Sequence, residues 1–284
     1  MKTKKKNELL YFAFRNVKLQ IGLVVLLFFV ALTFIGPLLT DYKPTDFVGP
    51  AGSPPSAMYW FGTTSFGEDV FSQFVHGLGP TFLVGIVGGG LGTILGMVIG
   101  FTAGYRGGTL DESLNILTNV VLTIPVLALL VVISAYIGVR GVLIESVFIG
   151  LTTWPWAARA IRSQTFSLRN RDFVDLAKLS GRSTLKIIFT EIAPNMASYL
   201  FMTFILMFGG AILTAATLDF LGLGPTQGIS LGTMMNLAVL WSALTLGMWW
   251  WFIPPGIGIT AIVGALYIMN VGLDEVFNPK LREM

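Results

Sequence analysis

The chain has 284 residues, of which 54% are hydrophobic and only 12% charged, with a net charge of +3 and a mean hydropathy of +0.76. A water-soluble domain carries about twice that share of charge, so the composition excludes an ordinary soluble enzyme and points to lipid as the solvent. There is no cysteine and one histidine, His76, which excludes disulfides, thiolate metal sites and histidine cages or relays; no metal site is expected.

The start, Met1-Lys2-Thr3-Lys4-Lys5-Lys6, is basic and precedes an apolar run, as in a signal peptide. The run that follows, 21–40, is too long for a signal's apolar region and lacks a small-residue cleavage site. It reads as a retained first span. Crossing about 30 Å of hydrocarbon takes roughly 20 apolar residues. Six segments meet or approach that length: 19–40, 80–105, 114–139, 141–158, 196–218 and 246–271. The expected fold is therefore an all-α membrane protein with six transmembrane helices. Residues 1–18 precede the first span, 80–271 form the core, and 272–284 make a tail.

Basic residues divide unevenly between the connections. Lys2, Lys4, Lys5, Lys6, Arg15 and Lys18 precede span one, and Arg106 follows span two. Arg159, Arg162, Arg169, Arg171, Lys178, Arg182 and Lys186 lie between spans four and five, and Lys280 and Arg282 follow span six. Only Lys43 and Arg140 fall on the opposite side. The positive-inside rule then places both termini in the cytoplasm, with 41–79, 139–141 and 219–245 outside. The 41–79 segment, with Pro44, Pro50, Pro54 and Pro55, reads as an irregular cap over the outer mouth. Within 228–241 the helical spacing of Leu231, Met234, Met235, Leu237, Ala238 and Trp241 predicts a short helix at or dipping into the outer surface. No internal repeat is visible, unlike in many secondary transporters.

Span two holds a glycine ladder, Gly88, Gly92, Gly96, Gly100 and Gly104, on one helix face. Small residues at this spacing let helices approach closely in lipid. The contact is either within this subunit or a rocking surface against a partner subunit. Pro125 and the pair Pro254-Pro255 are expected to kink spans three and six. Glu145 and Asp219 fall near outer ends and are expected to be solvated, leaving no ionisable group deep in the membrane. His76 reads as structural. No Ser/His/Asp set is placed for catalysis, so no catalytic residue is expected.

The loop between spans four and five, 159–195, carries two short helical patterns flanking Gly181. Asp172 suits an N-cap with Asp175 in the first turn. Gly181 suits a left-handed C-cap, and Pro194 the first turn of span five. Phe173, Leu176 and Ala177 give the first of these helices an apolar face. Such a face on a cytoplasmic loop meets either a soluble partner or an anionic lipid surface.

The run Phe173-Val174-Asp175-Leu176-Ala177 with Gly181 and Pro194 resembles the "EAA" loop of bacterial-type ABC import permeases, with Asp175 for the usual glutamate and Leu176 for the first alanine. Other stretches resemble the second permease of the dipeptide/oligopeptide/nickel branch of that family. Trp60-Phe61-Gly62-Thr63 with Gly67 and Asp69-Val70 is similar to its W-L-G-T-D-x-x-G-R-D-V stretch. Gly104-Tyr105 with Gly107, Gly108 and Asp111 is similar to G-Y-x-G-G-x-x-D, and Ala157 to Arg162 to Y-A-R-x-x-R. Phe220-Leu221-Gly222-Leu223-Gly224 matches F-L-G-L-G, and Asn278-Pro279-Lys280-Leu281-Arg282 resembles D-P-R-L-R. The chain departs from the branch at Glu68 for arginine, Asp219 for serine, and Ala215 where an acid is common.

The resemblance implies a type I importer permease in the cytoplasmic membrane. Its implied partners are a sister permease, two ATP-binding cassette ATPase subunits, an extracytoplasmic solute-binding protein and the lipid bilayer; no nucleic acid is expected. Phe173, Asp175, Leu176, Ala177, Gly181 and Pro194 would couple it to the ATPases. The chain has no G-x-x-x-x-G-K-[ST] phosphate loop, so ATP and Mg would be used by the partner ATPases and no cofactor bound here. The cargo would be oligopeptides or oligosaccharides. Asp219, Trp249, Trp250 and Trp251 are candidate outer-mouth contacts, the indoles suiting sugar rings or, equally, an interfacial aromatic belt. A stand-alone channel or secondary transporter is the alternative.

Overall fold

A computed structural model of the chain describes residues 11–136 and 141–277, and every regular element within them is helical. Lys2 to Lys6, Arg140, and the terminal motif with Lys280 and Arg282 lie outside the described residues.

Helix α1, Val17–Ile35, opens on Asn16, whose side chain accepts from the Leu19 N–H at 2.8 Å, and closes in a 3₁₀ turn, Gly36–Leu39. Helix α2 is a 37-residue rod, Val70–Arg106. It starts well before residue 80, because the Asp69 carboxylate accepts from the Ser72 N–H at 2.9 Å and supplies the cap. A wider π turn, Gly85–Gly89, interrupts the rod where the neighbouring Phe208 backbone presses against it. A Cβ at Gly89 would sit 2.7 Å from the Phe208 Cα.

Helices α3, Gly108–Thr123, and α4, Val126–Tyr136, meet at 74°. The expected kink at Pro125 is thus a sharp corner. Proline disfavours a helical conformation in the residue before it, and Ile124 is accordingly extended at φ −80°, ψ 123°. Helix α5 is Val142–Leu168, α6 is Asp172–Leu179 and α7 is Thr184–Ile187. Helix α8 is Ala197–Phe220, α9 is Leu231–Leu240 and α10 is Trp249–Phe277. Helix α10 runs as one element with Pro254 and Pro255 inside it. The missing proline N–H groups forgo only the bonds to the Trp250 and Trp251 carbonyls, so the helix continues through them.

Among the described residues four elements are long and apolar enough to cross a membrane: Val17–Leu39, α2, α8 and α10. The bent pair α3 and α4 makes a fifth if counted as one span. The 27 residues of α5 reach about 40 Å, but Glu145, Pro155, Arg159 and Arg162 make it more polar than the others.

The ladder glycines all face α5 of the same chain. A Cβ would meet Ser146 and Ile149 at Gly88, Thr153 at Gly92, Ala157 and Ala158 at Gly96, Ala158 and Ile161 at Gly100, and Arg162 and Thr165 at Gly104. The partners rise in step with the glycines, so α2 and α5 run parallel. Near Gly104 two of the sequence motifs meet at the basic end of the bundle. Arg162 from α5 forms a bidentate pair with Asp111 of α3, Nε to Oδ1 at 2.6 Å and Nη2 to Oδ2 at 2.8 Å. Arg159 donates to Asn119 at 2.8 Å, and Arg169 to the Gly104 carbonyl at 3.3 Å.

This pair is partly buried, and only a planar guanidinium fits both carboxylate oxygens. Asp111→Asn is expected to destabilise the chain by about 1–3 kcal/mol, between the ranges for exposed and buried pairs. A lowered melting temperature of the detergent-solubilised protein, not restored by adding Arg162→Lys, checks it.

Helix α1 lies antiparallel to α10: Asn16 donates to Glu275 at 2.7 Å, and Lys18 pairs with the same carboxylate. Asn270 of α10 donates to the Met202 carbonyl near the start of α8 at 2.8 Å. The start of α1, the ends of α2, α5 and α10, and the 172–195 loop therefore gather at one end of the bundle. The 41–69 cap, α9 and the start of α10 form the other. Helix α9 is capped reciprocally by Ser230 and Thr233. Of the two expected placements it takes the inward one: Leu231, Met234 and Ala238 are fully buried in the main apolar cluster with α2, α8 and α10.

Candidate functional site

At the basic end, α6 is seated on the bundle by one face. Val174 and Ala177 pack with Ile187, Ile188, Ile192 and Met196 of the same loop, with Phe101 of α2 and with Ala157 and Ile161 of α5. Phe173 packs against the same cluster. The opposite stripe carries Asp172, Asp175, Leu176 and Leu179 at i, i+3, i+4 and i+7 spacing. Leu176 is 64% and Leu179 86% exposed, and Leu185 and Phe189 beyond the turn are exposed as well.

The expected apolar face of Phe173, Leu176 and Ala177 is thus split. Val174, which the sequence reading passed over, is the inward anchor, and Leu176 points out. The signal was present in the Val174 to Ala177 spacing of three. Asp172 is the first helical residue and not the cap; Arg171 occupies the cap position without a side-chain bond. The two acids still favour the helix start through its dipole, and Asp175 pairs with Lys178 at 2.9 Å.

Gly181 has φ +71°. The Arg182 N–H reaches back to the Ala177 carbonyl at 3.2 Å, closing the helix as a left-handed C-terminal motif. No atom lies within 4 Å of a Cβ built there, so the glycine is required by conformation and not by space. Pro194 lies in a separate turn, Ala193–Asn195, just ahead of α8 and not within it. A π turn, Ile188–Ile192, precedes it.

At the other end the cap is pinned to the helices. The Trp250 indole N–H donates to the Thr63 carbonyl at 3.1 Å, and Tyr59 O–H to the Val48 carbonyl at 2.8 Å. Gly62 and Gly67 are both left-handed, at φ +71° and +79°. Burial pushes the Asp69 carboxyl above its ordinary value, against the N–H groups of Ser72 and Phe71. Trp250 and Trp251 are core residues, so they offer no face to a solute, which corrects two of the candidate contacts. Their neighbours in the apolar cluster cover them. Of the three, Trp249 alone is exposed.

The expectation that Glu145 and Asp219 are solvated fails. Asp219 is buried, accepts from the Ser230 hydroxyl, and lies beside the Glu145 carboxyl. Helix α9 and the 222–228 turn fold back over the end of α8 and exclude water from it. Asp219 also lines a cavity of about 600 Å³ with Lys43, Glu68, Gln73, His76 and Asn236. Neither Gln73 nor Glu145 stood out as a site residue in the sequence. His76 bonds the Ser72 carbonyl one turn back, at 2.9 Å.

Residues 96–283 match the family model described as the binding-protein-dependent transport system inner membrane component. A putative peptide transport system permease protein of Brucella abortus is 34% identical over 272 residues, covering 94% of this chain and 90% of its own. A putative peptide permease protein of Brucella suis is 34% identical over 263 residues, covering 91% and 86%. The oligopeptide transport system permease protein OppC of Bacillus subtilis is 30% identical over 274 residues, covering 95% and 88%. Membership sets aside the stand-alone channel and secondary transporter. The chain belongs to the binding-protein-dependent transport system inner membrane component family: it is a membrane permease subunit of an ATP-binding cassette importer and not an enzyme.

Proposed function

We propose that the chain forms half of the transmembrane pathway of an importer for oligopeptides, and that α6 is where separate ATPase subunits press on it. The observation that carries the coupling role is the split of α6 into a seated face and an exposed one. Leu176 and Leu179 are exposed, and covering a leucine contributes about 1.5–3 kcal/mol. The lipid-surface alternative is disfavoured by the outward acids: a helix bound to anionic lipid presents lysine and arginine there, whereas Asp172 and Asp175 flank the exposed leucines. Force on α6 would pass through Val174 and Ala177 to Phe101 of α2 and to Ala157 and Ile161 of α5. Such a packed contact moves as a rigid body between two states.

The parallel course of α2 and α5 supports a six-span arrangement. A chain that leaves α2 at one end must return before entering α5 in the same direction, and α3 with α4 provides that return. Counting α5 as a crossing gives six spans with both termini on the basic side, as in a type I permease. The remaining partners would be a sister permease, two ATPases and a solute-binding protein. Peptide is the better reading of the cargo. The named relatives are peptide permeases, and the sugar reading rested on three indoles of which two are buried.

Reconstitution tests this. Proteoliposomes holding this chain, the sister permease, the ATPases and the binding protein are expected to take up labelled trialanine only with ATP. The chain alone is expected to pass none. Appreciable flux through the chain alone, or uptake of maltotriose in place of peptide, would sink the reading.

A further inference from the structure

Two carboxyl groups touch at the outer end of the bundle, out of water. Glu145, in the first turn of α5, and Asp219, in the last turn of α8, bond to each other. Both Glu145 oxygens and Asp219 Oδ1 are buried and meet no donor among the described residues. The other Asp219 oxygen is taken by the Ser230 hydroxyl. A carboxylate has no hydrogen to give, so a bond between two of them needs a proton. Without it, two like charges would face each other in a site that excludes water, which disfavours ionising both. The space they share, with Thr81 and Ser230 on its wall, is about 10 Å³. That is the size of one water and leaves no room for a peptide amine or a hydrated metal ion. Lys43, Glu68 and His76 line the larger cavity on the cap side, and none of them bonds to either carboxyl.

The pair sits where three elements join. Ser230 is also the N-cap of α9. Gly232 lets α9 press against the last turn of α8: a Cβ there would lie 2.6 Å from the Asp219 Cβ. Towards the basic end, α5 holds Ala157 in the cluster that seats α6, about 18 Å along the helix from Glu145. We infer that Glu145 is a positioning residue of the importer: carrying a proton, it donates to Asp219 and, through Ser230, ties the outer start of α5 to α9. A displacement of α5 at α6 then carries the fold-back at the outer end with it. The inference rests on the coupling role proposed above for α6.

Infrared spectroscopy tests the proton, on the full chain in an ester-free detergent at neutral pH. The parent is expected to show the C=O stretch of a buried protonated carboxyl, and Glu145→Gln to lose it. Glu145→Gln keeps a donor facing Asp219, so it should melt within about 2 °C of the parent. Glu145→Leu leaves a buried carboxylate without that donor and should melt at least about 4 °C lower. In the reconstituted complex, Glu145→Leu should cut ATP-driven trialanine uptake at least about fivefold while ATPase activity persists. Glu145→Gln should restore uptake. If Glu145→Leu does not assemble, Ser230→Ala cuts the same link on the α9 side and should lower uptake in its place. A parent spectrum without the band overturns the proposal. So does a Glu145→Gln protein that melts well above the parent, the mark of two ionised acids relieved of their repulsion. Equal uptake by the parent and the variants that cut the link overturns the positioning role. No uptake by the parent complex would sink the importer reading and the positioning role with it, while the infrared band still decides the proton.

Discussion

Leu179→Asp is expected to lower ATP-driven peptide uptake at least tenfold while the chain still inserts and assembles with its sister permease. Leu179 is 86% exposed and lies outside the apolar clusters, so the effect on folding should stay within about 0.5 kcal/mol. In the docked complex the variant loses the burial of a leucine, about 1.5–3 kcal/mol, and places an unpaired charge at the interface, about 3–5 kcal/mol more. A tenfold change needs only about 1.4 kcal/mol. Leu176→Asp should act in the same sense. Val174→Asp should fail differently, because Val174 is fully buried and its loss removes the protein from the membrane fraction. Uptake and binding-protein-stimulated ATPase activity, measured on equal amounts of assembled complex, check this. Normal uptake by Leu179→Asp would show that the ATPases press elsewhere, as would failure of a cysteine at Leu176 to crosslink to an ATPase while transport persists.

Gly100→Val should strongly destabilise the folded bundle. At that step of the ladder a Cβ would lie 2.8 Å from the Ala158 carbonyl oxygen, 2.9 Å from the Ile161 Cβ and 3.0 Å from the Arg162 nitrogen. Two of these are backbone atoms of α5, which cannot rotate away as a side chain tip can. Overpacking a core costs about 1–3 kcal/mol where neighbours adjust, and the rigid contact here puts valine at or above that range. The expected result is loss of a monodisperse peak on size exclusion, or a melting temperature lower by about 5 °C or more. Gly210→Ala is the control. It lies in α8 at an ordinary helical conformation with no atom within 4 Å of the added carbon, and should melt as the parent does. A Gly100→Val protein as stable as that control would mean that α2 and α5 do not pack as described.

The glycine ladder was visible as a face because spacing by four survives any tertiary arrangement. Its partner was not, since nothing in Gly88 to Gly104 distinguishes α5 from a second subunit. Pro125 announced a break, but the size of the bend came from Ile124 being extended beside it. The α6 reading erred by one step of the helix: the sequence shows Val174 and Leu176 as equally apolar, and only the position of Phe101, Ala157 and Ile161 tells which is inside. The three tryptophans form a uniform run in the sequence, and only winding into a helix and packing separates exposed Trp249 from buried Trp250 and Trp251.

Composition alone determined that this chain lives in lipid, and periodicity that it does so as helices, because both follow from local chemistry and the cost of unpaired backbone in hydrocarbon. Motif order likewise pointed to the family that the comparisons then showed. The outer mouth is different. Glu68 and Asp219 were legible only as two separate departures from the branch pattern, far apart in the chain. Tertiary structure sets both on the wall of one cavity with Gln73, and buries Asp219 beside Glu145, because the fold-back of the chain after α8 and not the local sequence decides which groups water reaches.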